Sequence, residues 1–263
     1  MRSSVIYLRF ANTSKHLVQH GPDMVSKAGG SVAFRPRQAS TPPRPVWDSQ
    51  RAGARPQCVC MLRFPALDAL PVDYVFTLRE PDGIEATRDA VATLERHGFT
   101  CPLWVQAGQT HGAGAAAVGV MDDHTVIPDV DALATDVPRL ALIIRVADCG
   151  PVFLVDPERR AIALAHSGRK GTEANIVGAT LEKMRRSLGS DPRDVTVVLG
   201  PCIRPPHYEV DFAAVIQDQA QAAGVAAVHD CGLDTGADLS RFYSYRMEKG
   251  ATGRHYAALR LRK

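Results

Sequence analysis

The sequence predicts one mixed α/β domain, with helices flanking β-structure around a single core. Three observations predict it. Apolar runs of strand length alternate with helix-period segments over residues 72–263. Three such runs between 140 and 166 are joined by turns too short for parallel crossovers, so the sheet is mixed rather than purely parallel. Finally, 45% of the 263 residues are hydrophobic, enough for a sizeable core, at an ordinary charged content of 22%.

The elements follow in chain order. Order is expected from about Pro71, where VDYVFTLRE reads as a strand rich in β-branched and aromatic residues. GIEATRDAVATLERHGF reads as a helix: Ile84, Thr87, Val91 and Leu94 keep helical spacing, and Gly98 stops it. PLWVQAG is a second strand, and QTHGAGAAAVGV a glycine-rich turn leading into a strand of small residues. LALIIRVAD, VFLVD and RAIALAH read as three buried strands. GTEANIVGATLEKMRRSLG reads as a helix capped by Thr172, with Val177, Leu181, Met184 and Leu188 as its apolar stripe. DVTVVLGP is a strand, VDFAAVIQDQAQAAG a helix closed by Gly224, and RHYAALRLRK a last strand.

Residues 1–57 have little periodicity and are rich in Pro, Arg, Ser and Ala, so disorder is expected there. An over-extended start is the favoured reading over a transit peptide; the single domain then spans 58–263. Net charge is +3, but residues 1–57 hold nine Lys/Arg against two Asp, leaving the remainder at −4. A general nucleic-acid binder would carry its basic patch on the fold, so no nucleic-acid partner is expected. No apolar stretch approaches the roughly 18–20 residues of a membrane helix, so no membrane partner is expected. The chain has six cysteines but no visible secretory signal, which favours reduced thiols and a cytoplasmic location. Cys58 and Cys60 are too close for a zinc knuckle and have no second pair.

Three segments concentrate the chemistry: QTHG (109–112), ADCGP (147–151) and AHSG (165–168). Each sets a Cys or His at a strand end beside glycine, which permits a tight turn and close ligand approach. His111, Cys149 and His166 lie 38 and 17 residues apart, a spacing that suits ligands gathered from separate strands at one sheet edge. Two imidazoles and a thiolate make a zinc site with one open position, the catalytic arrangement. Zinc would lower the pKa of a bound water to about 7. The thiolate softens the site towards zinc or copper and away from magnesium. The alternative is packing, in which Cys149 is a small buried hydrophobe and each histidine a satisfied core residue.

QTHG, PDVDALATD, LALIIRVADCGPVFLVDP, AHSGRKGT, LGPCIRPPHYEVD, FYSYR and TGRHYAAL occur in this order along the chain from residue 109. The series resembles the YfiH/laccase-domain family, also called multicopper polyphenol oxidase or purine nucleoside phosphorylase family proteins. The resemblance spans roughly residues 72–263 and implies a layered α/β/β/α sandwich of mixed sheets. It implies metal ligands at His111, Cys149 and His166. It also implies zinc-dependent phosphorolysis of adenosine, inosine and 5′-methylthioadenosine, and deamination of adenosine. Basic groups should hold the attacking phosphate. Lys170 and Arg246 are the candidates, with Arg169 and Arg254 behind them and Gln109 as a further substrate contact. Asp148 is a candidate acid/base, or else a carboxylate that accepts turn N–H bonds.

The sequence departs from the family after H-x-G, where Arg169 and Lys170 replace the usual tryptophan and arginine, and at His207, often a cysteine. These changes leave the metal set intact and bear on the substrate: an aromatic platform for a base is lost from that position. Cys202, just after a strand, is either packing or part of the same pocket.

Other readings remain. A multicopper oxidase needs His-x-His pairs, and nine histidines here form none. A metal-free cysteine hydrolase would use Cys149 as nucleophile and His166 as base, on amides such as cell-wall precursors. A metal-stabilised binding module would use GAGAAAVGV to meet a copy or a partner. Monomer and homodimer are both compatible with the sequence.

Overall fold

A computed structural model describes residues 62–80, 83 and 87–263. The expectations for residues 1–57, Cys58 and Cys60 lie outside them. In chain order the elements are α1 (Pro65–Asp68), β1 (Val72–Phe76), α2 (Ala90–Arg96), β2 (Leu103–Ala107), β3 (Ala115–Ala117), β4 (Thr125–Ile127), β5 (Ala132–Thr135) and β6 (Leu140–Val146). They continue with β7 (Gly150–Asp156), β8 (Ala161–Ser167), α3 (Arg169–Glu173), α4 (Ile176–Leu188), β9 (Thr196–Leu199), α5 (Phe212–Ala222), β10 (Ala227–Asp230) and β11 (His255–Leu261).

Two mixed sheets form. One has the order β1-β11-β6-β2-β4, the other β10-β9-β7-β8-β5-β3. The first pairs β1, β11 and β6 antiparallel, then β6, β2 and β4 parallel. In the second, the β7–β8 hairpin pairs in register from Gly150↔Ser167 to Asp156↔Ala161. The three strands between 140 and 166 therefore do not share one sheet. β6 belongs to the first, β7 and β8 to the second, and the chain changes layer at 147–149.

The α/β/β/α layering follows from side-chain alternation. Leu140, Leu142 and Ile144 of β6 face Phe153, Val155, Ile162 and Leu164 of β7 and β8 across the inter-sheet core. The opposite faces carry the helices. Ala141 and Ile143 pack with Leu94 of α2; Leu154 and Ala163 pack with Val177, Leu181 and Met184 of α4 and Ile216 of α5. Each fully buried Leu, Ile or Phe contributes about 1.5–3 kcal/mol relative to exposure.

Local chemistry moved several expected boundaries. Order begins before Pro71. Phe64 stacks on Tyr74 at 5.4 Å, and the Tyr74 hydroxyl accepts from Phe64 N (2.7 Å) and donates to Asp68 Oδ1 (2.6 Å). The helix expected from Gly83 starts at Ala90, because Asp89 caps it by accepting from Ala92 N (3.0 Å). Thr87 instead holds the last strand, its hydroxyl accepting from Arg254 N and its carbonyl from Tyr256 Oη. The helix expected from Gly171 is broken into α3 and α4. Asn175, at φ +57°, caps α4 by accepting from Gly178 N, while Thr172 sits inside α3 and donates to Gly168 O. β4, β5 and β10 were not anticipated. GAGAAAVGV contributes the edge strand β3, paired parallel to β5, with Ala113 and Ala115 packed beneath the α4 layer.

Candidate active site and metal centre

The chain passes from the first sheet to the second three times: at 108–114 between β2 and β3, at 128–131 between β4 and β5, and at 147–149 between β6 and β7. These crossings supply His111, Asp131 and Cys149. They are laced together by backbone bonds: Gly108 N to Ile127 O, Gln109 N to Val130 O and Asp131 N to Gly114 O, all 2.8–2.9 Å. His166 comes from the end of β8, its backbone N–H donating to Asp131 O at 2.7 Å. The sharp reversals require left-handed backbone at Gln109 (φ +60°), His111 (φ +62°) and Asp148 (φ +82°).

The three expected ligands meet. One side-chain donor atom each from His111, Cys149 and His166 lie within 4.8 Å of one another. The two imidazole rings stand edge to face at 4.8 Å. Gly168 makes room for the thiol, because a Cβ there would lie 2.6 Å from Cys149 Sγ and 3.5 Å from His111 Cδ2. His166 is buried, Cys149 half-buried and His111 exposed, so the group opens to one side. Two nitrogens and one sulfur, open towards a cavity, fit a catalytic zinc donor set.

Asp131 organises the group from behind. Fully buried, it accepts from the backbone N–H of Thr110 (3.1 Å), His111 (2.9 Å) and Gly112 (2.8 Å). Its Oδ1 also accepts from His166 Nδ1 at 2.8 Å, which turns Nε2 of that ring towards the open side. Burial works to raise the Asp131 pKa, but the His166 and backbone donors outweigh it and hold the carboxyl at about 2. Burial likewise opposes ionisation of Cys149, yet the two histidines bring its thiol down to about 7. His166 is raised against its burial by Asp131 and the Cys149 thiolate.

The group opens into a cavity of about 920 Å³ that also receives Arg145, Arg169, Lys170, Arg246, Lys249 and Arg254. Lys170 and Arg246, expected to hold phosphate, both line it. Arg246 is over the Tyr208 ring at 5.4 Å and pairs with Glu209 at 3.0 Å. Arg169 pairs with Glu173 (3.0 Å) and Glu209 (3.7 Å). Gln109 lines the cavity, but both ends of its amide engage Arg145: Nε2 donates to Arg145 O (2.7 Å) and Oε1 accepts from Arg145 N (2.8 Å). Asp148 is likewise committed at both oxygens, accepting from Thr235 Oγ1 (2.8 Å) and Arg246 N (2.7 Å). That is the turn-bracing geometry, and it fixes the loop that carries Arg246.

Cys202 lies outside the cavity, fully buried in the core beneath α5, with its thiol pKa pushed up by burial. His207 is bonded through Nδ1 to Asp234 Oδ2 at 2.6 Å. Two aromatic rings that sequence reasoning did not assign, Tyr208 and Tyr245, line the cavity, and Tyr245 is 56% exposed. Asp131 was also missed, although PDVDALATD carries it at a strand start next to a turn.

Comparisons with known proteins identify the family and the fold. A family model described as multi-copper polyphenol oxidoreductase laccase matches residues 78–214 and 209–262. A purine nucleoside phosphorylase of Mycobacterium tuberculosis is 34% identical over 144 residues, 55% of this chain and 55% of that protein. The chain thus spans about half the length of the first curated relatives it matches. A purine nucleoside phosphorylase of Deinococcus radiodurans is 32% identical over 62% of this chain and 72% of its own length. Among solved structures, YlmD from Geobacillus stearothermophilus superposes with a TM-score of 0.66 at 24% identity, covering 73% of this chain and 93% of that one. YfiH from Bacillus licheniformis also gives 0.66 at 24% identity, over 77% and 96%. Both likenesses establish the shared fold.

Proposed function

This chain belongs to the multi-copper polyphenol oxidoreductase laccase family, and on that premise we propose that it is a zinc-dependent purine nucleoside phosphorylase. Its substrates in this reading are adenosine, inosine and 5′-methylthioadenosine, with deamination of adenosine as a second activity. The carrying observation is one cavity that joins the His111/Cys149/His166 donor set to Lys170 and Arg246. The relatives named purine nucleoside phosphorylase support the same reading.

In phosphorolysis a phosphate oxygen attacks C1′ of the ribose. The C1′–N bond breaks, its electron pair leaves with the base, and the base takes up a proton. His111, Cys149 and His166 would hold the ion, with Asp131 fixing the His166 tautomer. When bound, zinc supplies Lewis-acid polarisation at the open corner. Lys170 and Arg246 bind and orient the phosphate, and proximity of this kind lowers the barrier without new chemistry. Asp148 braces the Arg246 loop through the Arg246 N–H. Gln109 keeps the His111 turn at a fixed distance from β6. Tyr245 offers an exposed ring face for a purine where the family's usual tryptophan is absent. Nine histidines without a His-x-His pair do not build a multicopper cluster, which argues against laccase chemistry, and the open His111/Cys149/His166 set is the catalytic zinc pattern.

The test is metal analysis of purified protein paired with base release from the three nucleosides. Release that requires inorganic phosphate and is lost with chelator supports the reading. Release that ignores phosphate turns it into hydrolysis.

The lowered Cys149 thiol favours one second reading, a cysteine hydrolase with His166 as base. Such an enzyme would be active without zinc and inactivated by iodoacetamide.

A further inference from the structure

The cations of the cavity divide into two sets. On the α3 side Arg169 and Arg246 are balanced by Glu173 and Glu209, and Lys170 lines the same cavity. On the side of β6 and β11, Arg145, Lys249 and Arg254 make no ion pair with any carboxylate among the described residues. Arg145 pairs in register with Tyr256, and Arg254 precedes Tyr256 by two residues. Arg254 lies just ahead of β11, which begins at His255, and both Arg145 and Arg254 line the same cavity.

Their placement is built rather than incidental. The Gln109 amide pins the Arg145 backbone from both sides. Arg254 is anchored through Nη1 to Thr252 O (3.1 Å) and Gly253 O (2.8 Å) and lies 5.8 Å from the Tyr245 ring centroid. That leaves its Nε and Nη2 without a hydrogen-bond acceptor among the described residues. Lys249 is held at φ +52° in the turn that carries Tyr245, its N–H donating to Arg246 O. Three like charges brought to one wall without a counter-charge repel one another unless an anion joins them.

We propose that Arg145, Lys249 and Arg254 form a second anion subsite, which takes a phosphate carried by the ligand itself. The ligand class is then a nucleoside 5′-monophosphate, its 5′-phosphate on this wall and its glycosidic bond towards the metal group. The inference rests on the reading above, in that base and ribose occupy this cavity. It also orders that reading's substrates, because a 5′-methylthio group offers this wall nothing to bind.

The test uses the zinc-loaded full chain and calorimetric titration with 5′-AMP, 3′-AMP and adenosine, run without inorganic phosphate. 5′-AMP should bind about tenfold more tightly than adenosine or 3′-AMP. Lys249→Ala and Arg145→Ala should each remove most of that preference while leaving the adenosine Kd unchanged. Equal affinity for all three ligands overturns the proposal, as does a preference that survives both substitutions. Base release run in parallel separates the two failures. Phosphorolysis of adenosine with no 5′-AMP preference defeats the subsite and keeps the phosphorylase reading. A 5′-AMP preference lost in the variants, with no base released from any ligand, keeps the subsite and defeats the phosphorylase reading.

Discussion

Asp131 accepts a 2.8 Å hydrogen bond from Nδ1 of His166, and both residues are buried. An ionised carboxylate can only accept, so the contact fixes which ring nitrogen faces the cavity. Asp131→Asn puts an amide donor against backbone N–H groups that now find an acceptor. Zinc affinity should fall about 10–100-fold, read by competition with a chromogenic chelator. An unchanged affinity would show that Asp131 serves only the turn.

Gly168→Ala tests the space beside the thiol. The new methyl would lie 2.6 Å from Cys149 Sγ, so the sulfur or the α3 start must shift. Strain of about 1–3 kcal/mol is expected at the site. Zinc content per chain should drop while far-UV circular dichroism keeps the native spectrum. Full zinc loading in this variant would contradict the geometry.

Asp148→Asn keeps the shape and removes the charge that braces Arg246. Oδ2 of Asp148 accepts from Arg246 N at 2.7 Å and Oδ1 from Thr235 Oγ1 at 2.8 Å. Losing one buried charged acceptor costs about 1–3 kcal/mol locally. The KM for inorganic phosphate should rise roughly tenfold or more, with zinc content unchanged. A fall in kcat alone, with phosphate KM unmoved, would instead indicate a proton-transfer role for Asp148.

His255 sets an acid limit on the fold. It is fully buried, with Nδ1 donating to Thr77 O and Nε2 accepting from Tyr243 N, both at 2.7 Å. A second ring proton would point at the Tyr243 N–H. Burial, first, and the nearby Arg79 charge lower the pKa from 6.5 to about 3 against the Thr77 bond. The folded pKa is below the unfolded one, so the unfolded chain protonates first. The stabilising contribution is complete above pH 6.5 and is lost as pH falls towards 3. Urea midpoints at several pH values should show about 1.4 kcal/mol lost per pH unit from this group. His255→Gln should be less stable at neutral pH and show a shallower acid dependence.

Much of the architecture was legible because its signals are local. The apolar runs of β6, β7 and β8 and the stripe of α4 announce themselves by period alone. Which sheet each strand joins was not legible, because the layer change at 147–149 depends on long-range pairing. The short strands β4 and β10 lack a run long enough to read, and the α3–α4 break depends on Asn175 adopting a left-handed backbone. At the site, His111, Cys149 and His166 stood out by residue type beside glycine, but that pattern left packing open, and the family resemblance supplied the ligand assignment. Asp131 did not stand out, since a carboxylate in a turn looks like any other until its partners are seen. Gln109 shows the converse: its sequence position suggests a substrate contact, while its amide is engaged by Arg145.

The donors come from strand connections in different layers: His111 and Cys149 sit where the chain leaves one sheet for the other, and His166 ends a strand of the second. An ion clasped by all three would therefore act as a rivet through the seam of the sandwich. Prising the layers apart would have to tear out the rivet, so mechanical integrity and chemical competence would fail together.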